Sequence, residues 1–363
     1  MLKGGVVGYG FIAENGHMPA YEAARQGGAP LEIVAVADVS PERRARVLVK
    51  HPKLRVYSSH QEMLEREREL SFVDIATPPS EHAEIALDAF GHGLHVFCEK
   101  PMAVNTREAA SMMAAAERAG RVLFPSHNYK HAPVVRAVRR AIDDGLVGRV
   151  HLVTLQTFRP THAKGVPEFR PDWRRERRYS GGGIAMDHGS HTFYLAFEWL
   201  AGFPTSVTAK VSTLGAWDTE DDVSCTLTFP HGVASAHLTW NAGVRKVIYS
   251  IHGTNGAVRV EDDDVEVSTM VRDASGKTTW DVRKESISSD WMDASHVKWF
   301  KTVFDRFVSA MDRKEWVGRD AIESFRAVEL IEGVYESARR GSREVRLGAS
   351  ARRNGEAREL TAG

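Results

Sequence analysis

From Val6 to Gly148 the chain alternates short apolar runs with longer amphipathic stretches, and no other feature constrains the fold as much. Runs ending at Val7, and spanning Leu31–Ala37, Phe72–Ala76, Leu94–Cys98 and Val122–Phe124, are too short for helices and rich in β-branched or aromatic residues. A further short strand is predicted at Arg55–Tyr57, and helices at Pro41–Lys50, Gln61–Glu69, Glu81–Phe90, Asn105–Ala119 and His131–Asp143. Alternation at this density implies a parallel sheet wound on both faces by helices. Ligands of such sheets bind at the carboxyl ends of the strands, so the residues that follow each run are where chemistry is expected.

The first strand end carries Gly8-Tyr9-Gly10-Phe11-Ile12-Ala13, a G-x-G-x-x-A turn. Gly8 permits the tight turn, Gly10 lets a pyrophosphate approach the backbone, and Ala13 allows close helix packing. The helix start then offers unpaired N–H groups to the phosphates. Asp38 ends the second strand, 25 residues past Ala13, where a carboxylate can hold the ribose hydroxyls of NAD or cap the next helix. A 2′-phosphate would be repelled there, so NAD is favoured; Arg43 and Arg44 keep NADP open. Thr77-Pro78-Pro79 ends the next strand and holds the chain extended. Glu99-Lys100-Pro101 follows Cys98 and aims an ammonium at the same edge, as a proton donor or an oxygen ligand unless it is plain surface charge. Asn128 and Lys130 stand at the sixth strand end. The turn Asp144–Gly148 reads as a domain boundary, giving parts 1–148 and 149–345 with a flexible tail at 346–363.

Past Val150 the texture becomes that of a mostly antiparallel sheet. Strand candidates run through Ser206–Thr213, Val223–Phe229, Val233–Trp240, Lys246–His252, Ala257–Val260 and Val265–Thr269, with helices at about Met292–Met311 and at Arg319–Arg340. Between them lie a basic irregular arm, Arg159–Ser180, and Gly181-Gly182-Gly183 leading to Asp187-His188-Gly189-Ser190-His191. In an α-helix Asp187 and His191 share a face and His188 points away. A carboxylate beside an imidazole can handle a proton near neutral pH; the rival reading is a helix cap and an incidental histidine.

Lys plus Arg and Asp plus Glu both total 48, which gives no basic footprint for nucleic acid or membrane. Hydrophobic residues, 42% of 363, suffice for two cores. No run reaches membrane-spanning length, and the start does not sustain a signal peptide. Cys98 and Cys225, the only cysteines, suggest neither a disulfide framework nor a zinc cluster, so a cytoplasmic setting and no metal are expected.

Gly8-x-Gly10-x-x-Ala13, Asp38, Thr77-Pro78-Pro79, Glu99-Lys100-Pro101 and Gly182-Gly183-x-x-x-Asp187-x-x-x-His191, in that order, resemble the glucose–fructose oxidoreductase / inositol dehydrogenase / MocA family over about residues 3–345. The resemblance implies an α/β fold: an N-terminal Rossmann doubly wound sheet and a C-terminal α/β domain with a large open-faced, mostly antiparallel sheet, often used for homo-oligomer contacts. It implies NAD(P) and a sugar, polyol or nucleotide-sugar substrate. Lys100, Asp187 and His191 match the family's catalytic residues. Cofactor contacts are expected from Gly8, Gly10, Phe11, Ile12, Asp38, Arg43, Thr77, Pro78, His82, Glu99, Lys100 and Asn128, and substrate contacts from Lys100, Asn128, Lys130, Arg159, Trp173, Asp187 and His191. The expected mechanism has His191 as base with its ring held by Asp187, and Lys100 on the reacting oxygen; the alternative gives Lys100 the proton. Two other functions stay in view: a non-catalytic redox regulator, and an NAD-dependent glycosidase, although Asp187-His188-Gly189-Ser190-His191 follows the dehydrogenase form.

Overall fold

The computed structural model describes residues 1–288 and 293–348. Six parallel strands, β1 (Leu2–Val7), β2 (Leu31–Ala37), β3 (Arg55–Tyr57), β4 (Phe72–Ile75), β5 (His95–Cys98) and β6 (Leu123–Pro125), form a sheet in the order 3-2-1-4-5-6. The chain leaves β1 for one edge and returns beside it as β4, so the crevice opens at the carboxyl ends of β1 and β4. The connecting helices Pro41–Lys50, His60–Arg66, His82–Gly91, Thr106–Ala119 and Pro133–Asp143 fall close to the predicted stretches. Side chains cap three of them: Ser40, Ser59 and Asn105 each accept a hydrogen bond from the N–H three residues on.

Nine strands build the second sheet: β7 (Val150–Phe158), β8 (Ser206–Ser212), β9 (Asp222–Phe229), β10 (Gly232–Thr239), β11 (Lys246–Gly253), β12 (Gly256–Glu261), β13 (Asp264–Arg272), β14 (Thr278–Ser286) and β15 (Val345–Arg346). Their order is 14-13-12-11-7-10-9-8-15, antiparallel throughout except for the central pair β7/β10. Helix Ser190–Trp199 covers one face, with Phe193, Tyr194, Leu195, Ala196 and Phe197 all buried.

The last two helices tie the sheets together. Val297–Asp312 packs Phe300, Phe304 and Phe307 against Tyr21, Phe72 and Phe97 of the first sheet's layer, and Tyr21 and Phe304 stack at 3.8 Å. Each such buried ring contributes roughly 2 kcal/mol of apolar transfer. Helix Arg319–Arg339 lies against β8 and also contacts Thr106–Ala119. The sequence-predicted start of the first of these helices, at Met292, and most of the predicted tail, 349–363, lie outside the described residues.

Candidate active site

A cleft of about 550 Å³ runs from the glycine turn to the segment around Asp187. Gly8 has φ +90°, a left-handed conformation, and a Cβ there would press on the Ala76 carbonyl. A Cβ on Gly10 would meet nothing nearer than Arg43 Nη1 at 3.8 Å, so the Gly10 backbone lies open to the cleft. Thr77 Oγ1 and Asn128 Oδ1 are buried at the cleft with no hydrogen-bond partner among the described residues. An open glycine turn, a helix start and unsatisfied buried polar atoms fit a dinucleotide.

Asp38 sits behind this wall. Its carboxylate accepts from Tyr9 N (2.6 Å) and Ser40 N (2.8 Å) and pairs with Arg43 Nη2 (2.9 Å). Arg43, not Asp38, reaches the cleft lining, and Ser40 rather than Asp38 caps the next helix. His82 also lies beneath the surface, its two ring nitrogens 2.9 Å from the Pro101 carbonyl and 3.0 Å from that of Thr77. Gly8 shapes the turn without lining the cleft; Phe11, Ile12, Pro78 and Glu99 line it.

The opposite wall depends on the glycines before Asp187. A Cβ on Gly183 would run into the Glu220 backbone, and one on Gly182 into the Tyr335 hydroxyl. This close approach lets the Glu220 carboxylate accept from Gly183 N (2.9 Å) and Ala185 N (3.0 Å), fixing the turn that presents Asp187. Ala185–Gly189 is a wide π-type turn, and the α-helix begins only at Ser190.

That turn changes the expected pairing. Asp187 does not hold His191. Its Oδ1 lies 3.0 Å from Lys100 Nζ and 3.5 Å from Arg174 Nε, and its Oδ2 lies 3.3 Å from His188 Nδ1. Lys100 Nζ also donates to the Asp187 carbonyl at 2.9 Å, and the Lys100–Pro101 bond is cis. Burial by itself would raise the Asp187 carboxyl; Lys100, then Arg174 and His188, hold it well below the carboxylate range. His191 Nδ1 instead pairs with the Tyr194 hydroxyl at 3.0 Å, and its ring stacks on Tyr129 at 3.9 Å. Burial, then the charges of Lys100 and His188, keep His191 well below its ordinary pKa and so neutral. His188, expected to face away, lines the cleft.

Lys130 is placed differently from expectation. It turns away from the cleft and pairs with Asp320 (3.1 Å) and, at short range, Glu323. Two carboxylates from helix Arg319–Arg339 outcompete a solvent-facing position. His127, Asp320 and Glu323 also form one of two metal-capable groups among the described residues, but the Lys130 ammonium already sits with them; the other, His60, Glu84 and Asp88, joins helices His60–Arg66 and His82–Gly91 outside the cleft lining. Arg159 and Trp173 line the cleft. Of the basic run Arg174–Arg178, Arg174 alone does so; Arg175 pairs with Asp221, Arg177 with Asp218 and Glu220, and Arg178 with Glu176.

Sequence reasoning missed His17. It is fully buried, with Nδ1 2.9 Å from Asp74 and Nε2 3.2 Å from Glu99, the residue before Lys100. Burial would depress it, but Asp74 and then Glu99 carry the imidazole up to about 10. It also missed Tyr129, Arg245 and His296, which line the cleft too.

Residues 2–127 match the profile of an oxidoreductase family with an NAD-binding Rossmann fold, and residues 135–259 match the GFO/IDH/MocA C-terminal domain. The chain is 30% identical over 261 residues to 1,5-anhydro-D-fructose reductase of Ensifer adhaerens, covering 71% of this chain and 75% of that one. It is 28% identical over 291 residues to levoglucosan dehydrogenase of Pseudarthrobacter phenanthrenivorans, covering 71% and 73%. In structure it is similar to a levoglucosan dehydrogenase in complex with NADH, with a TM-score of 0.81 at 24% identity over 95% of this chain and 99% of that one, a likeness of fold.

Proposed function

The chain belongs to the GFO/IDH/MocA oxidoreductase family, and on that premise we propose that its cleft transfers hydride between a nicotinamide cofactor and a secondary alcohol or ketone of a sugar-like substrate. NAD, held by the glycine turn, Thr77 and Asn128, supplies the hydride acceptor when bound. Asp38 reaches the cleft only through Arg43, so NAD is proposed from the family's NAD-binding domain, and Arg43 is the residue by which a 2′-phosphate would be taken.

The observation that carries this reading is the meeting of Lys100 and His191, from the two sheets' layers, in the cleft the glycine turn opens. Lys100 spends two N–H donors on Asp187 and has a third for the reacting oxygen. Asp187 acts through Lys100, fixing the ammonium. We assign to His191 the tautomer that donates from Nδ1 to Tyr194, which leaves Nε2 as the base that takes the hydroxyl proton. The division of labour follows the change of sheet near Gly148: cofactor on 1–148, substrate largely on 149–345. Leu152, Val233, Met270 and Trp280, all exposed, fall on one face of the nine-stranded sheet by register, and we assign that face to a homo-oligomer contact. Cys98 and Cys225, buried and unpaired, support a reducing cytoplasmic setting.

The test is a screen of purified protein with NAD for NADH formation across polyols, aldoses, sugar acids and nucleotide-sugars. NADH formation with at least one class is expected. Tight cofactor binding with no turnover on any alcohol or ketone would make the protein a nucleotide-binding regulator, and aglycone release without net NADH would make it a glycosidase.

A further inference from the structure

Among the described residues, the carboxylates at the cleft do not reach every cation that lines it. Asp187 serves Lys100 and Arg174, Asp38 serves Arg43, and Glu99 serves His17. Arg159 is outside this pairing. It is 7% exposed and lines the cleft, yet no carboxylate oxygen among the described residues lies within ion-pair distance of it. Its Nη1 donates to the Phe158 and Lys246 carbonyls, at 2.8 and 3.1 Å. Those two bonds fix the guanidinium without neutralising it. A guanidinium stays charged at any physiological pH, and a buried charge facing only dipoles is costly unless an anion arrives.

Arg245 stands beside it. Phe158 and Lys246 are register partners in β7 and β11, so Arg159 and Arg245 flank one end of the same strand pair. Burial, and then the neighbouring Arg159, push Arg245 below its ordinary value. Arg159 likewise lowers His188, behind the larger effect of burial, and Arg245 contributes to lowering His296 to about 4, again behind burial. This cationic corner belongs to the second sheet's wall, whereas the glycine turn that suits a pyrophosphate belongs to the first.

We infer that the substrate is a sugar acid, a polyhydroxy carboxylate whose carboxylate docks on Arg159 with Arg245 alongside. This rests on the hydride-transfer reading and narrows its substrate class. The fork left on Arg159 matches the two oxygens of a carboxylate. Holding the acid end there fixes which carbinol faces Lys100 and His191.

The test compares matched pairs, D-gluconate with D-glucitol and D-glucuronate with D-glucose, and adds D-glucose 6-phosphate. Each is measured for kcat/KM with NAD, and for affinity to the NADH-loaded protein by calorimetry. The acid is expected to exceed its neutral partner by about tenfold or more, and Arg159→Met to cut that ratio by a similar factor, with Arg159→Lys between them. Arg245→Gln is expected to lower the ratio less, and serves if Arg159→Met fails to fold. A ratio near one in the wild type, a preference for the phosphate, or variants that lower acid and neutral partner alike would overturn the assignment. Acid-selective binding that Arg159→Met abolishes, with no NADH from any compound, would keep the anion site while removing the hydride-transfer reading.

Discussion

Lys100 and Lys130 follow neighbouring strands, β5 and β6, and each meets carboxylates from far along the chain, yet they finish in different settings. Around Lys130 the charges close on themselves. Asp320 also takes Arg306 at 2.8 Å, Glu323 takes Arg319 at 2.8 Å, and His127 lies 3.4 Å from Asp320. Burial opposes the Lys130 ammonium, but Asp320 and Glu323 raise its pKa above the ordinary value. The cluster joins the end of β6 to helix Arg319–Arg339 and stays outside the cleft lining. Around Lys100 the set is open: Asp187 is shared with Arg174 and His188, and all four line the cleft. A lysine at a strand's carboxyl end is therefore not a site residue by address alone. What decides is where the remaining donor stands: the Lys130 ammonium lies over the Tyr194 ring, outside the cleft lining, whereas Lys100 lines the cleft.

Exchanging the two variants breaks the comparison most sharply. Lys100→Met should lower turnover by about a hundredfold with little change in stability. Lys130→Met should cost about 3–5 kcal/mol of stability, because Asp320 and Glu323 are left without their central cation, while turnover per folded molecule stays within about threefold. Urea unfolding and steady-state kinetics on both variants decide it; the same phenotype from both would erase the distinction.

His17 sharpens the contrast, since it is closed like Lys130 but touches Glu99 beside Lys100. His17→Asn should cost about 2 kcal/mol, from hydrogen bonds to charged partners. Its folded pKa, about 10, lies above the ordinary 6.5, so the stabilisation is fully present below about pH 6.5 and lost as pH rises through about 10. The gap between wild type and variant in urea should thus be widest at about pH 6 and close towards pH 10; a gap that widens with pH would contradict a buried imidazolium.

Smaller effects test the open set. Asp187→Asn keeps the carbonyl that Lys100 also uses, so a fall in turnover of about tenfold is expected, with KM for NAD steady. Tyr194→Phe removes the partner that fixes the His191 Nδ1 tautomer and should cost about threefold, by the same factor from about pH 7 to pH 9, because burial already keeps the imidazole neutral. No response to Tyr194→Phe at any pH would detach the tyrosine from the site.

What the sequence showed follows from locality. The glycine turn, the strand ends and the Glu99-Lys100-Pro101 run are contiguous, so local period and turn chemistry revealed both sheets and the first wall of the cleft. The Asp187–His191 pairing failed because an i,i+4 argument assumes an α-helix, and Ala185–Gly189 is wound wider. β14 escaped notice because every residue of it is exposed, leaving no apolar alternation to read. His17 escaped because nothing local separates a helical histidine from one clamped by Asp74 and Glu99, 57 and 82 residues away. Arg159 was among the expected substrate contacts, but that no carboxylate among the described residues lies beside it is visible only once the neighbouring strands are assembled.

The central claim is that Lys100 and His191 act on the substrate's hydroxyl beside the nicotinamide. Its most direct test is single-turnover NADH formation, with NAD-saturated enzyme mixed with a substrate from the screen, in wild type and His191→Asn. The account predicts a rate at least about a hundredfold lower in the variant, with NADH affinity within about threefold of wild type. Equal single-turnover rates would contradict it.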